Sequence, residues 1–229
     1  MADLAPNSNF QAFLEQYPVR TFKKGEIIIF QGEAPRAAFV VKSGVVKAYN
    51  LSIDGDEKPV DFYSEGDVFP GPWVYGKLSS AIYYYEAFTS SVSLYAVDKN
   101  AFVEFIKSQP ELLYRELNRY LTEQLGKSMR LNALEHSRAS DKLIYTLHYL
   151  ALSHGKRITP NDVEITLELT HQDFANLTGL TRETAATELN KLKKRGVISY
   201  DKHKPYRLHF SKLMQMQNDQ YIADVQVRL

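Results

Sequence analysis

Residues 169–198 read LTHQDFANLTGLTRETAATELNKLKKRGVI, and this stretch decides how the C-terminal part of the chain folds. Thr170 is placed to cap a short helix, and Gly179 ends that helix where a tight turn needs an unrestricted backbone. Ala175 is small at the point where two crossing helices would meet. Thr181 then caps a second helix, so the stretch predicts a helix-turn-helix.

The second helix separates an inward face from an outward one. Three apolar residues at i, i+4 and i+7 form the inward face: Ala185, Leu189 and Leu192. Arg182, Glu183 and Thr187 point away from that face. Because the first residues of a recognition helix reach base edges in the major groove, we expect these three side chains to read DNA bases.

A hairpin follows the second helix. Residues 196–200 and 202–210 read as its two strands, which is the wing of a winged helix-turn-helix. Phosphate contacts fix the register of a protein on DNA without reading its sequence. We expect such contacts from polar side chains at the two helix starts and in the wing, namely Thr170, His171, Gln172, Thr181, Thr184, Lys202, His203 and Lys204.

The net charge of +1 conceals two unlike halves. Residues 1–136 carry 14 basic and 17 acidic side chains, whereas residues 137–229 carry 14 basic and 10 acidic ones. Residues 181–212 alone carry nine basic against three acidic side chains. A clustered basic segment is typical of a protein that binds a polyanion, although a solvated basic face explains the charge equally well.

The N-terminal part of the chain reads as strands after a short helix that ends before Pro18. Between residues 20 and 98, glycines recur every few residues and separate short runs rich in Val, Ile, Phe and Tyr. This spacing is typical of an all-β sandwich or barrel rather than of βαβ units. Asp54–Gly55 is a candidate hairpin turn, since glycine adopts the positive φ that such turns need.

A long helix is predicted from Glu111 to about Glu135. About 25 residues at the α-helical rise reach roughly 37 Å, which is longer than one compact core covers. The simplest partner for its broad apolar stripe is a second copy in a parallel dimer; the alternative is that the helix packs only on its own β domain. The stripe consists of Leu113, Leu117, Tyr120, Leu121, Gln124, Leu125, Ser128, Leu131 and Asn132.

Another amphipathic helix is predicted from Ser140 to Ser153, with Gly155 just past its end. The chain thus divides into three predicted regions. Residues 1–110 form a β-roll sensor domain, residues 111–137 a dimerisation helix with its hinge, and residues 138–229 a winged helix-turn-helix domain.

Four segments together resemble the CRP/FNR family of bacterial transcription regulators, which includes the cyclic AMP receptor protein. They are residues 31–47, 65–69, 109–113 and 181–184. The resemblance implies an α+β chain with an N-terminal, jelly-roll-like β-roll, a long dimerisation helix and a C-terminal winged helix-turn-helix. It also implies a homodimer that binds a near-palindromic double-stranded DNA site, contact with RNA polymerase, and a small-molecule effector.

The stretch where the family binds its effector departs from the cyclic-nucleotide pattern. Members that bind cyclic nucleotides have a Gly-Glu pair for the ribose and an Arg-Ser or Arg-Thr pair for the phosphate. Residues 70–83 here read PGPWVYGKLSSAIY, and no arginine lies between Arg36 and Arg115. A buried phosphate without a forked cation is costly, and Lys77 is a single mobile charge. We therefore expect a different effector, with a cyclic-nucleotide-responsive regulator as the alternative.

Aromatic residues dominate this departing stretch and predict a pocket for an apolar or aromatic effector. The predicted lining is Trp73, Tyr75, Lys77, Ser80, Tyr83 and Tyr85. The alternative is that these side chains are β-roll core. We expect no cofactor, because the chain has no cysteine for an iron-sulfur cluster and no histidine before residue 136 for haem.

Catalytic signatures do not emerge from the sequence. The chain has no Gly-x-Ser-x-Gly, and metal-dependent β-barrel enzymes need histidine ligands that residues 1–135 lack. We expect a cytoplasmic protein that is not an enzyme, without a metal site or a membrane span. The remaining rival is a β-roll binding module that uses its winged helix for protein contacts.

Overall fold

The computed structural model describes residues 8–135, 138–201 and 205–216. Two compact units divide between Leu121 and Thr122, inside helix α4. The elements in chain order are α1 (Ser8–Leu14), β1 (Val19–Lys23), β2 (Ile27–Ile29), β3 (Ala38–Ser43), β4 (Val46–Leu51), β5 (Glu57–Tyr63), β6 (Val68–Phe69), α2 (Gly71–Val74), β7 (Tyr84–Ala87), β8 (Ser91–Val97), α3 (Lys99–Lys107), α4 (Pro110–Glu135), α5 (Ala139–His154), β9 (Gly155–Arg157), β10 (Asp162–Ile165), α6 (His171–Thr178), α7 (Arg182–Lys194), β11 (Ile198–Ser199), β12 (Arg207–His209) and α8 (Phe210–Met216).

Two four-stranded antiparallel sheets build the first unit, and this confirms the jelly-roll-like prediction. The first sheet has the strand order β1-β8-β3-β6 and the second has β2-β7-β4-β5. One apolar core contains Phe39, Phe69 and Tyr85, while a second core joins Phe10 of α1 to Phe102 of α3. The sheets and the short helices therefore form a single β-rich body with buried aromatic side chains on its inside.

The hairpin turn predicted at Asp54–Gly55 is confirmed. It joins β4 to β5, Gly55 has φ +85°, and the Ser52 amide donates to the Asp56 carbonyl at 2.9 Å. The same region holds one departure from the predicted run of strands, because residues 71–74 form the short helix α2. Pro72 lies in its first turn, where a residue without an amide proton favours a helix start over a strand.

The second unit contains α5, α6, α7 and α8 with a sheet of strand order β11-β12-β10-β9. Helix α5 follows its predicted pattern, with Leu143, Leu147 and Leu150 fully buried. The predicted hairpin exists as the antiparallel pair of β11 and β12. It ends one residue earlier than predicted, since Phe210 begins α8, and strands β9 and β10 were not predicted.

Helix α4 confirms the predicted long helix and leaves much of its apolar stripe uncovered. Leu121 is 62% exposed, Leu125 is 59% exposed and Leu131 is 48% exposed. Arg119 holds the helix to the β-roll by donating to Asp67, and it also donates at 2.7 Å to Glu116 one turn earlier in α4. An uncovered apolar stripe of this extent on one chain points to a partner.

Tyr120 also ties α4 to the β-roll, through Gly71 at the start of α2. A Cβ atom at Gly71 would lie 2.5 Å from a ring carbon of Tyr120, so the ring rests directly on the glycine backbone. The Tyr120 ring also lies 5.5 Å from the ring of Tyr75. The first half of α4 and the stretch predicted to bind an effector are therefore in direct contact.

In the part of the chain that the structure describes, no helix combines the length and the apolar character needed to cross a membrane.

His148 makes the stability of the second unit depend on pH. It is buried in α5 with its ring 5.7 Å from that of Phe210, and burial lowers the pKa of His148 to about 4. Below pH 6.5, the ordinary pKa of histidine, the unfolded chain takes up a proton at His148, whereas the folded chain keeps this ring neutral. The contribution of neutral His148 to the free energy of unfolding is therefore complete above pH 6.5. About 2 to 3 kcal/mol of it is lost as the pH falls toward 4.

Urea unfolding of the whole chain at pH 7 and pH 4.5 measures this loss. We expect His148→Gln to unfold more easily at pH 7 and to lose less stability on acidification than the unsubstituted protein. His209→Gln, on β12, is the matched control and keeps the original pH dependence. Equal acid sensitivity of the His148 variant and the parent would contradict the assignment.

Candidate DNA interface

Helix α6 begins and ends at the predicted residues. The Thr170 hydroxyl accepts from the Asp173 amide at 3.2 Å, and the Asp173 carboxylate accepts from the Thr170 amide at 2.7 Å. This reciprocal capping box satisfies two donors at the helix start. At the other end Gly179 is left-handed, with φ +66°, and its amide donates to Ala175.

Helix α7 presents the expected inward and outward faces. Its start is capped by Thr181, whose hydroxyl accepts from the Thr184 amide at 3.2 Å. The three inward residues are buried as predicted: Ala185, Leu189 and Leu192. The three residues expected to read bases are all exposed: Arg182, Glu183 and Thr187. The short turn through Gly179 places α6 directly against α7.

An aromatic cluster between the two helices and the strand β11 was not predicted from the sequence. The His171 ring meets the Tyr200 ring edge-on at 5.8 Å and 89°. Tyr200 lies 4.6 Å from the ring of Tyr206, which in turn meets Phe174 at 4.9 Å. The first residue of α6 is therefore held against the segment that follows β11.

Lys193 and Asn190, on the last turns of α7, complete this cluster. The Lys193 Nζ lies 4.6 Å from the Tyr200 ring centroid and donates to the Tyr200 carbonyl at 2.5 Å. The Tyr200 hydroxyl donates to Asn190 Oδ1 at 3.1 Å. The only sequence signal for these contacts was a tyrosine between two basic runs, which does not identify its neighbours.

Charge at this surface is predominantly positive. Burial and the neighbouring Arg182 guanidinium lower the pKa of His171. Two of the α7 lysines have acidic neighbours, since Lys191 meets Glu188 at 2.6 Å and Lys193 meets Asp201 at 3.9 Å. Arg182 lies exposed at the opposite end of the same helix.

The remaining described residues expected to contact phosphates occupy the two helix starts. Thr170 and Thr181 are the caps described above, and Thr184 is half-buried beside Thr181 at 2.9 Å between hydroxyl oxygens. Gln172 is exposed and donates to Asn176 Oδ1 at 2.7 Å. The three wing residues lie outside the described residues: Lys202, His203 and Lys204.

The residues predicted to line an effector pocket fall into two groups. Tyr83 and Tyr85 pack in the core of Phe39 and Phe69, whereas Trp73 and Tyr75 pack in the core of Phe10 and Phe102. Of the two remaining residues, Lys77 is exposed and Ser80 is half-buried.

Tyr85 is the most enclosed of these six residues. It is fully buried, and burial together with the nearby Asp61 carboxylate raises the pKa of its hydroxyl. Trp73 differs, because its ring lies 4.4 Å from the Lys99 ammonium at the start of α3. In residues 8–135, 138–201 and 205–216, no three His, Asp or Glu side chains form a group that could hold a metal ion.

Two family models match the chain, and they match the two units separately. Residues 19–109 match the cyclic nucleotide-binding domain, and residues 141–223 match the Crp-like helix-turn-helix domain. The chain belongs to the CRP/FNR family of transcription regulators.

Relatives of this protein are CRP/FNR regulators, and they match most of the chain. The Global nitrogen regulator of Synechocystis sp. is 28% identical over 81% of this chain and 82% of its own length. The nitrogen fixation regulation protein FixK of Bradyrhizobium diazoefficiens is 26% identical over 78% of this chain and 73% of its own. A solved CooA mutant from Carboxydothermus hydrogenoformans covers 89% of both chains at 21% identity with a TM-score of 0.71.

Membership of the CRP/FNR family confirms the fold and the general function that the sequence predicted. The protein is a transcription regulator with a β-rich N-terminal domain and a C-terminal helix-turn-helix that binds DNA. The name of the N-terminal family model describes a domain type. It leaves the effector of this CRP/FNR member unspecified.

Removing the Thr181 cap should weaken this CRP/FNR helix-turn-helix. Thr181→Ala leaves amides at the start of α7 without their side-chain acceptor, so we expect a loss of about 1 kcal/mol in the free energy of unfolding. Thr181→Ser keeps the hydroxyl and is the matched control. Urea unfolding measures both, and an alanine variant as stable as the serine variant would contradict the capping role.

Proposed function

We propose that this CRP/FNR regulator binds a near-palindromic double-stranded DNA site as a homodimer, with Arg182, Glu183 and Thr187 reading bases. The observation that carries the proposal is the exposure of these three side chains at the start of a capped helix. An arginine donates to guanine O6 and N7, and a glutamate accepts from cytosine N4. The half-site therefore contains a base pair read by Arg182 and an adjacent one read by Glu183.

Phosphate contacts hold α7 in the major groove. The proposed contacts come from both helix starts and from the wing: Thr170, His171, Gln172, Thr181, Thr184, Lys202, His203 and Lys204. The nine basic side chains of residues 181–212 support this role, because neutralised phosphates release counterions and drive binding at low salt. These contacts supply affinity for any duplex, whereas the base-reading residues supply sequence preference.

The homodimer forms along α4. Its exposed leucines include Leu121, Leu125 and Leu131, which lose contact with water when two copies of the helix lie side by side. A two-fold arrangement then presents two copies of α7 about 34 to 36 Å apart, to successive major grooves. In this assignment residues 1–110 are the sensor domain, residues 111–137 the dimerisation helix and hinge, and residues 138–229 the DNA-binding domain.

The effector of the β-roll is a small molecule other than a cyclic nucleotide. Its predicted lining is Trp73, Tyr75, Lys77, Ser80, Tyr83 and Tyr85, of which the fully buried Tyr85 belongs to the core. Arg119 on α4 supports this assignment, because Asp67 and Glu116 already occupy its guanidinium. A phosphate would have to displace one of these carboxylates. The protein acts in the cytoplasm as a regulator rather than as an enzyme, and it contacts RNA polymerase as the family resemblance implies.

Arg182→Ala tests the base-reading role. On a site recovered by selection from random duplexes, we expect a loss of about 1 to 3 kcal/mol in binding free energy, with little loss on a random duplex. Lys202→Ala, which removes a phosphate contact, should weaken both duplexes and reduce the salt dependence. Fluorescence anisotropy over a salt series measures these losses. Equal losses on both duplexes for Arg182→Ala would refute its role.

The dimer seam is testable because the chain contains no cysteine, so a single introduced cysteine is unique. Ser128 is exposed in the middle of the α4 stripe, and Thr122 is exposed on another side of the helix. Two facing copies of Ser128→Cys meet the short distance that a disulfide needs. We expect mild oxidation to link this variant into covalent dimers and to leave Thr122→Cys monomeric on a non-reducing gel. The reverse pattern, or no linkage in either variant, would exclude the seam.

A further inference from the structure

His171 occupies a position that favours an anion. It is the first residue of the eight-residue helix α6, directly after the cap Thr170. Amide protons at a helix start and the positive end of the helix dipole favour negative charge nearby. The proposed function already places DNA phosphates at this helix start, so His171 is a titratable side chain at a phosphate contact.

Two groups lie next to the His171 ring. Arg182 comes from the start of α7, and Tyr200 comes from the segment after β11. Asp173 lies two residues further along the same helix. The Asp173 carboxylate accepts from both the amide and the hydroxyl of Thr170, so it serves the helix cap. Lys193 lies against Tyr200 and adds a further positive charge to the cluster.

These neighbours keep the His171 ring neutral in the free protein. Partial burial against Tyr200 and the positive charge of Arg182 both disfavour the imidazolium, which lowers the pKa of His171 below its ordinary value of 6.5. At neutral pH the free protein therefore presents an uncharged imidazole at the start of α6. A phosphate at this position changes the balance, because its negative charge favours the protonated ring.

We propose that DNA binding takes up a proton at His171, which becomes a cationic phosphate contact only in the complex. The inference rests on the proposed function, and it adds a proton to the binding equilibrium. The proton comes from solvent and stays on the imidazole while DNA is bound. Each protomer of the dimer takes up at most one proton in this way.

The direction of the pH dependence follows from this equilibrium. Between the pKa of His171 in the free protein and the higher pKa in the complex, only the complex holds the proton. Lowering the pH within this interval strengthens binding, since each unit of pKa difference corresponds to a factor of ten. For the dimer on its selected site we expect binding at pH 6 to be about tenfold tighter than at pH 8.

Two substitutions separate charge from shape at this position. His171→Gln is neutral at every pH and keeps a polar side chain, so its binding should change little between pH 8 and pH 6, whereas that of the parent tightens. His171→Arg carries a permanent charge, so its binding should be tight and nearly constant from pH 8 to pH 6. If His171 had a purely structural role, its substitution would weaken binding equally at both pH values and leave the pH dependence in place.

Two other histidines of the same unit are the controls. His209 on β12 lies 3.6 Å from the Asp162 carboxylate and has no place in the proposed interface. His203 is itself a proposed phosphate contact of the wing, so its variant tests whether the proton is taken up there instead. We expect His209→Gln and His203→Gln to retain the pH dependence of the parent.

Calorimetry counts the proton directly. The full-length protein is titrated with the selected duplex at pH 7, in phosphate and in Tris buffer, and the difference in heat between buffers gives the number of protons taken up. We expect proton uptake for the parent and none for His171→Gln.

The possible failures are distinct. If the parent binds no duplex at any salt concentration, the proposed function itself is wrong. If it binds DNA without proton uptake, or if His171→Gln keeps the uptake and His203→Gln loses it, only the assignment to His171 is overturned.

Discussion

The close approach of α6 to α7 is the constraint on which the functional surface depends. Gly179 turns the chain between the helices in a left-handed conformation. The buried side chains of Ala175 and Ala185 are small enough for the two helices to approach closely. With the inward residues of α7 fixed in the core, the rotation of this helix about its axis is fixed as well. Arg182 and Glu183 are then directed to solvent as a pair, while the caps Thr170 and Thr181 bring two helix starts to the same surface.

Helix α4 is bound in one part and exposed in another. Its first half is bound to the β-roll by the ion pair of Arg119 with Asp67 and by the contact of Tyr120 with Gly71. The other side carries leucines whose burial within this chain is incomplete. The same helix therefore joins apolar and charged contacts with its own domain to apolar side chains that remain exposed to solvent.

The sequence predicted the parts of the structure that depend on local chemistry. A capping residue, a glycine and an apolar repeat lie within a few residues of one another, so the bounds of α6 and α7 and the exposure of Arg182 were predictable. Strands β9 and β10 were not, because each is short and β10 depends on pairing with β12, far along the chain, while β9 pairs only with β10. Helix α2 was missed because Pro72 interrupts a region where aromatic residues otherwise favour strands.

The cluster around Tyr200 shows the same limit at the candidate site. His171 was predicted as a phosphate contact from its place after a cap, yet its neighbour lies 29 positions further along the chain, from residue 171 to residue 200. No periodicity connects such residues. Charge composition likewise predicted a basic surface, whereas the specific contact of Lys193 with the Tyr200 ring follows only from the packing of α7 against β11.

Gly71 restricts which substitutions this regulator tolerates during evolution. The Tyr120 ring occupies the space that any side chain at position 71 would need, and the obstruction is an aromatic ring rather than the end of a flexible chain. A larger residue at 71 therefore requires a smaller one at 120. Among descendants of this protein the two codons should change together or not at all.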